Sequence, residues 1–203
     1  MFSGAQFSLY PMTGDFVPVI LSSLSALDPY RERLRIETDD LSTLIVGPAD
    51  DLFPAMRDLH GAASRDGVHC VLSAAVSRGC PGEPDDPRCT PLAPSAHAGS
   101  MDERIAAALA AVEAAPETGL TVAAQFSFYP LGAAEHMDEI YACIDFVKRS
   151  GVFGRAKNFC TRLDGDAGRV FATLGQAFVA FGAPQAHVAL DVTVSANSPS
   201  RRG

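Results

Sequence analysis

No apolar run in this chain approaches the roughly 18 residues needed to span a bilayer, so no transmembrane helix is expected. Basic residues are scarce: 16 Lys and Arg stand against 24 Asp and Glu, for a net charge of −8. That balance argues against nucleic acid or an anionic membrane as partner, since both favour clustered positive charge. Closely spaced cysteine pairs, which a structural zinc site needs, are missing. The five cysteines (Cys70, Cys80, Cys89, Cys143, Cys160) are odd in number and scattered, and read as free thiols. The opening Met1-Phe2-Ser3-Gly4-Ala5 lacks a basic segment followed by an apolar one, so a cytoplasmic protein is expected. There is no Gly-x-Ser-x-Gly elbow, no Gly-Lys-Ser/Thr phosphate loop and no His-Glu-x-x-His. Nothing places Cys70 or Cys160 beside a base. The residues require no metal or cofactor, and binding is favoured over catalysis.

What is present is ordinary for a globular protein: 47% hydrophobic and 20% charged residues, enough to bury a core. The organising feature is an internal repeat. Ala5-Gln6-Phe7-Ser8-Leu9-Tyr10-Pro11 returns as Ala124-Gln125-Phe126-Ser127-Phe128-Tyr129-Pro130. Thr43, Gly47, Ala49, Phe53 and Ala62 match Thr161, Gly165, Ala167, Phe171 and Ala180 in order. His69, Leu72, Val76, Ser77 and Pro81 match His187, Leu190, Val194, Ser195 and Pro199.

Each copy reads as βαββαβ. Residues 5–12 alternate apolar and polar, as a half-buried strand does. Asp15 is placed to cap a helix whose stripe is Phe16, Val19, Ile20, Leu24 and Leu27, with Pro18 tolerated in the first turn. Strands over 34–38 and 42–46 follow, then a break at Gly47-Pro48. A second helix with stripe Leu52, Phe53, Met56, Leu59 and Ala63 leads to a strand over 69–77. The second copy offers the stripes Met137, Ile140, Tyr141, Ile144 and Val170, Phe171, Leu174, Phe178. The fold class is therefore α+β, as tandem duplicated ferredoxin-like (ACT-like) domains. Repeat one spans 1–82 and repeat two 121–203. Residues 83–120 form a linker with a short Ala-rich helix.

In such a unit both helices cover one sheet face, and period two sorts the strand residues between the faces. Phe7 and Leu9 should face the helices, and Gln6, Ser8 and Tyr10 the open side, together with Ser73 and Ser77. Glu37, Asp39 and Thr43 are expected on the same open side. The second floor would hold Gln125, Ser127, Tyr129, Asp191, Thr193 and Ser195, with Thr161 and Asn197 at motif positions. Hydroxyl and amide groups can hydrogen-bond the edge of a planar heteroaromatic ring, and a tyrosine can stack on it or face a cation. The same residues have plainer uses. Tyr10 and Tyr129 could anchor turns, Gln6 and Ser8 could dock a partner, Asp39-Asp40 could be a polar turn, and His69 and His187 could simply pack.

Phe7-Ser8-Leu9-Tyr10-Pro11-Met12-Thr13 with Asp15-Phe16, Thr38-Asp39 with Ser42-Thr43, and Gly79-Cys80-Pro81-Gly82 resemble the first half of the YkoF family. Leu163-Asp164-Gly165-Asp166-Ala167 and Ser195-Ala196-Asn197-Ser198-Pro199-Ser200-Arg201 resemble its second half. The resemblance implies a homodimer that binds thiamine or its hydroxymethylpyrimidine moiety (HMP) without transforming it. It also implies a functional link to a thiamine-precursor transporter, without membrane insertion. The open-face argument, restricted to motif positions, gives the expected ligand-binding residues: Gln6, Ser8, Tyr10, Asp39, Thr43, Ser77, Gln125, Ser127, Tyr129, Thr161, Ser195 and Asn197. Asp40 departs from the family's His at that position, and Thr38-Asp39-Asp40 aligns with Ala156-Lys157-Asn158, so unequal sites are expected, the acidic one favouring a thiazolium cation. With few basic residues and no Gly-rich phosphate cradle, unphosphorylated ligands are favoured. A dimeric α+β-barrel enzyme acting on a small aromatic substrate, or a regulatory protein-interaction module, are the alternatives.

Overall fold

The computed structural model describes residues 3–79, 99–131, 136–182 and 187–201. The Cys80–Cys89 loop, the Cys80-Pro81-Gly82 motif and residues 83–98 of the expected linker lie outside the described residues. The first half runs β1 (Ser3–Pro11), α1 (Phe16–Ser23), a 3-10 segment (Leu24–Tyr30), β2 (Arg35–Thr38), β3 (Thr43–Val46), α2 (Ala49–Ala63) and β4 (Cys70–Arg78). After α3 (Met101–Glu113) the second half repeats it with β5 (Thr121–Leu131), α4 (His136–Arg149), β6 (Phe153–Ala156), β7 (Thr161–Asp166), α5 (Ala167–Ala180) and β8 (His187–Ala196).

Each half has the ferredoxin-like strand order, and the two halves share one eight-stranded sheet, β2-β3-β1-β4-β8-β5-β7-β6. Every pairing is antiparallel. The seam is β4 against β8, running from Cys70↔Ala196 to Arg78↔Val188. At its centre Ala74 faces Val192, its own equivalent in the repeat, so the register obeys an internal two-fold. Neither β4 nor β8 is left as an unpaired edge, the feature that invites aggregation.

Side-chain alternation decides which face is covered. Ala5, Phe7, Leu72, Ala74, Val76, Ala124, Phe126, Leu190, Val192 and Val194 are buried and form one cluster with the helices. Gln6, Ala75, Gln125 and Asp191, on the opposite face, are exposed. The expected phase of the first strand in both repeats is therefore the observed one. A layer of helices on one sheet face is the usual way such a sheet buries its apolar side. The helices α2 and α5 lie side by side across the seam, with Phe53 and Phe178 rings 5.7 Å apart. A close approach explains the break at Gly47, where a Cβ would stand 2.6 Å from the Arg33 carbonyl oxygen.

Several local expectations need correction. Asp15 occupies the N-cap position, but its side chain makes no capping bond; instead its N–H donates to Thr13 Oγ1 at 3.3 Å. The first helix ends at Ser23, and Leu24 and Leu27 belong to the 3-10 segment. In α4 the buried side is Glu139, Ala142, Cys143, Phe146 and Val147, whereas Met137, Tyr141 and Ile144 are exposed. This helix carries apolar residues on two faces, so periodicity alone picks the wrong one. The Ala-rich helix α3 does more than connect. Ile105, Ala108 and Val112 are buried against α4 and α5, and Ser100 and Glu103 close a reciprocal capping box at its start.

Candidate functional site

Unequal strand lengths create the site. β3 begins at Thr43, opposite Phe7, while β1 runs on to Pro11 with only β4 beside it among the described residues. The same overhang recurs where β7 begins at Thr161, opposite Phe126, and β5 continues to Leu131. A strand edge without a neighbour leaves backbone donors and acceptors unpaired. In each half this overhang, the turn joining the two short strands and the first helix enclose a cavity. The first measures about 490 Å³ and the second about 580 Å³. Both lie within the roughly 300–1,000 Å³ usual for small-molecule sites.

The walls are mainly apolar. Phe7, Leu9, Met12, Phe16, Ile20, Leu24 and Leu59 line the first cavity, and Phe126, Phe128, Ile140, Tyr141, Ile144, Val147 and Phe153 the second. This explains why the α1 and α4 stripes are incompletely buried. Each first helix turns part of its apolar surface to a cavity and only the remainder to the core.

The turns are built alike. Asp39 N–H donates to the Ser42 carbonyl at 3.0 Å, and Lys157 N–H to the Cys160 carbonyl at 2.9 Å. Ser8 Oγ donates to the Leu41 carbonyl and Ser127 Oγ to the Phe159 carbonyl, both at 2.8 Å. These equivalent hydroxyls latch each turn to its neighbouring strand. Gln6 Nε2 adds a bond to Ser42 Oγ at 2.5 Å, whereas Gln125 Oε1 accepts from Lys157 Nζ at 2.7 Å and from Cys160 Sγ at 3.7 Å. Leu41 and Phe159, at the tips, are 79% and 91% exposed. Apolar residues at paired turn positions are a signal that the repeat alignment contained and polarity-based reading passed over.

Of the expected residues, Ser8, Tyr10, Asp39 and Thr43 line the first cavity, and Ser127, Tyr129 and Thr161 the second. Gln6 and Gln125 stand behind the turns and brace them. Thr43 does not join the open face. It pairs with Phe7 in register, shares its helix-facing side, is buried, and lies 3.0 Å from Thr38 Oγ1 through its own Oγ1. Ser77, Ser195 and Asn197 are not at the cavities of their own halves. Ser77 and His187 Nε2 are 2.9 Å apart, and His69 Nε2 and Ser195 Oγ 3.2 Å, so these pairs stitch the seam. Antiparallel pairing carries Ser77 to the row of Tyr129 and Ser195 to the row of Tyr10. Asn197 has left-handed backbone (φ 54°), and its amide donates to the Ser64 and Val68 carbonyls, both at 2.9 Å, tying β8 to the end of α2.

Charge separates the two cavities. Among the described residues, Asp39 and Asp40 are the charged ones lining the first, and Lys148 and Lys157 those lining the second. The Leu41 and Ser42 N–H groups, each 2.8 Å from Asp39 Oδ1, hold that carboxyl below its usual range, so it is ionised at neutral pH. Cys143 reaches the second cavity as a buried thiol whose pKa burial pushes up, which keeps it protonated and a poor nucleophile. The arrangement suits reversible capture of a flat, partly apolar molecule with a polar edge.

Comparison with known proteins agrees with the duplicated architecture. The model of the YKOF-related family matches residues 2–83 and again 121–201. The YkoF protein of Bacillus subtilis (strain 168), whose name assigns it provisionally to HMP/thiamine binding, is 33% identical over 202 residues, covering 98% of this chain and 92% of its own.

Proposed function

Because the chain belongs to the YKOF-related family, we propose that it binds thiamine or its hydroxymethylpyrimidine moiety in the two equivalent cavities and releases it unchanged. The observation that carries this reading is the free edge of β1 and β5 beside an apolar wall of matching size in both halves. An aminopyrimidine is a planar ring with alternating donors and acceptors along its edge. An unpaired strand offers the complementary alternation, and phenylalanine and leucine side chains offer the faces to pack on. The relative's name supports binding over turnover. Delivery to or from a thiamine-precursor transporter in the cytoplasm is the role proposed. A homodimer is proposed with it, because the sheet face bearing Gln6, Ala75, Gln125 and Asp191 is exposed in a single copy.

Isothermal calorimetry with thiamine and with HMP tests the reading. Saturable binding approaching two ligands per chain is expected. The Ser8→Ala/Ser127→Ala variant, which unlatches both turns, should weaken it by about tenfold, the cost of losing a hydrogen bond of roughly 1 kcal/mol at each site plus some turn disorder. No heat at millimolar ligand would remove the reading. Binding unchanged in the variant would retain the ligand and remove this account of the site.

A further inference from the structure

The two cavities share their backbone and differ in the sign of their charge. Asp39 and Lys157 occupy the same position of equivalent turns, each donating its N–H to the carbonyl three residues on. Asp40 extends the negative charge of the first turn, and its counterpart Asn158 is neutral. Across the second cavity Lys148, in the last turn of α4, adds another ammonium. Lys148 is exposed and engaged in no ion pair among the described residues; Lys157 uses one donor on Gln125 and keeps two. Among the described residues no carboxylate lines the second cavity and no cation the first. A duplicated site that keeps its geometry while inverting its charge is a device for sorting ligands that share a ring and differ in substituent.

We propose that the two cavities are specialised by charge: the first takes the cationic form of the ligand, with its thiazolium ring, and the second takes an anionic form, a phosphate ester of the pyrimidine alcohol. This rests on the function proposed above and deepens it. The pyrimidine ring is held in the same way in both halves, by the strand edge and the apolar wall. The substituent then points to the rim, where it meets Asp39 and Asp40 in one half and Lys148 and Lys157 in the other. The general scarcity of basic residues disfavours phosphate over most of this protein, but Lys148 and Lys157, which both border one apolar cavity, Lys157 with its ammonium held on Gln125 at the turn, supply local charge that composition does not reveal. Exposed lysines bind phosphate as point charges, so the preference is strongest at low salt and falls as ionic strength rises.

The test is calorimetry of the full chain with HMP, its phosphate monoester and thiamine, on three proteins: wild type, Lys148→Gln/Lys157→Gln and Asp39→Asn/Asp40→Asn. In wild type one site should bind the phosphate ester about tenfold more tightly than HMP, and the lysine variant should bring that ratio close to one. The aspartate variant should lower the thiamine-to-HMP ratio at the other site by a similar factor and leave the phosphate preference in place. Raising salt from 50 to 500 mM should erode both ratios. If HMP binds but neither ratio moves in the variants, charge sorting is wrong and the binding function stands. If none of the three compounds binds, the function and the sorting fall together.

Discussion

His60 illustrates how one buried side chain carries a measurable consequence. It sits on α2 with no exposure to solvent, its Nε2 3.1 Å from the Cys70 carbonyl and its ring 6.1 Å from that of Phe171. A carbonyl only accepts, so Nε2 carries the proton and Nδ1 is left as an acceptor with no partner among the described residues. Burial disfavours the imidazolium and lowers the pKa from 6.5 to about 4, against a smaller opposing pull from the Cys70 carbonyl. The unfolded chain therefore binds a proton below about pH 6.5 that the folded chain refuses until about pH 4. Stability from this group is complete above the unfolded pKa and is lost as the pH falls towards the folded one. Between pH 7 and pH 5 the loss should be about 2 kcal/mol. Urea denaturation at both pH values checks it, because His60→Leu should remove that increment of acid sensitivity. An equal loss in the variant and in wild type would refute the assignment.

At the scale of elements, the first helix of each half is where sequence and structure part. The strand phases, the α2 and α5 stripes and the βαββαβ order were legible because a buried face repeats every 2 or 3.6 residues. The α4 face was not, because the helix has one apolar side on the core and another on the cavity. The site was legible in part. Ser8 and Ser127 were recognisable as paired residues, but their bonds run to carbonyls at Leu41 and Phe159, more than 30 positions away, and no local pattern encodes such a contact. Ser77 and Ser195 lie away from the cavities of their own halves for a related reason. Strand order, which sequence spacing does not specify, sends each to the far end of the seam. The orientation of α4 leads to a paired prediction. Phe146 is fully buried with its ring 5.3 Å from that of Phe181, so Phe146→Ala should cost about 3–5 kcal/mol in urea unfolding. Tyr141 is 63% exposed over the cavity, so Tyr141→Ala should cost about 0.5 kcal/mol or less while weakening ligand binding in the second half. The reverse ranking would mean that α4 presents its other side to the sheet.

For the whole molecule, the question is whether a duplicated chain behaves as two domains or one. The β4–β8 seam joins the halves along nine residue pairs, and α2 packs on α5 above it. A second tie lies at the end of α5. Arg78, from the first half, is buried and donates to the Phe178 and Phe181 carbonyls at 2.8 and 2.7 Å, satisfying acceptors that a helix end leaves open. Arg104 of α3 donates to the Ala180 carbonyl and pairs in bidentate fashion with Glu139 of α4, at 2.9 and 2.6 Å. Burial pushes the Glu139 carboxyl up, but Arg104 and the Gly182 N–H more than offset this and hold it below its ordinary value. Strand pairing, helix packing and a buried ionic cluster thus all cross between the halves or bind the connecting helix to the second. Opening one half would expose the edge of β4 or β8 and break that apolar contact in a single step, an unfavourable intermediate. The chain should therefore unfold in one transition, with calorimetric and van't Hoff enthalpies equal. Arg104→Ala, which leaves the Glu139 carboxylate without its partner, should destabilise by about 3 kcal/mol and shift that single transition without splitting it. Two resolved transitions in the wild type, each moved by a ligand specific to one cavity, would instead make the halves independent and the seam a mere contact.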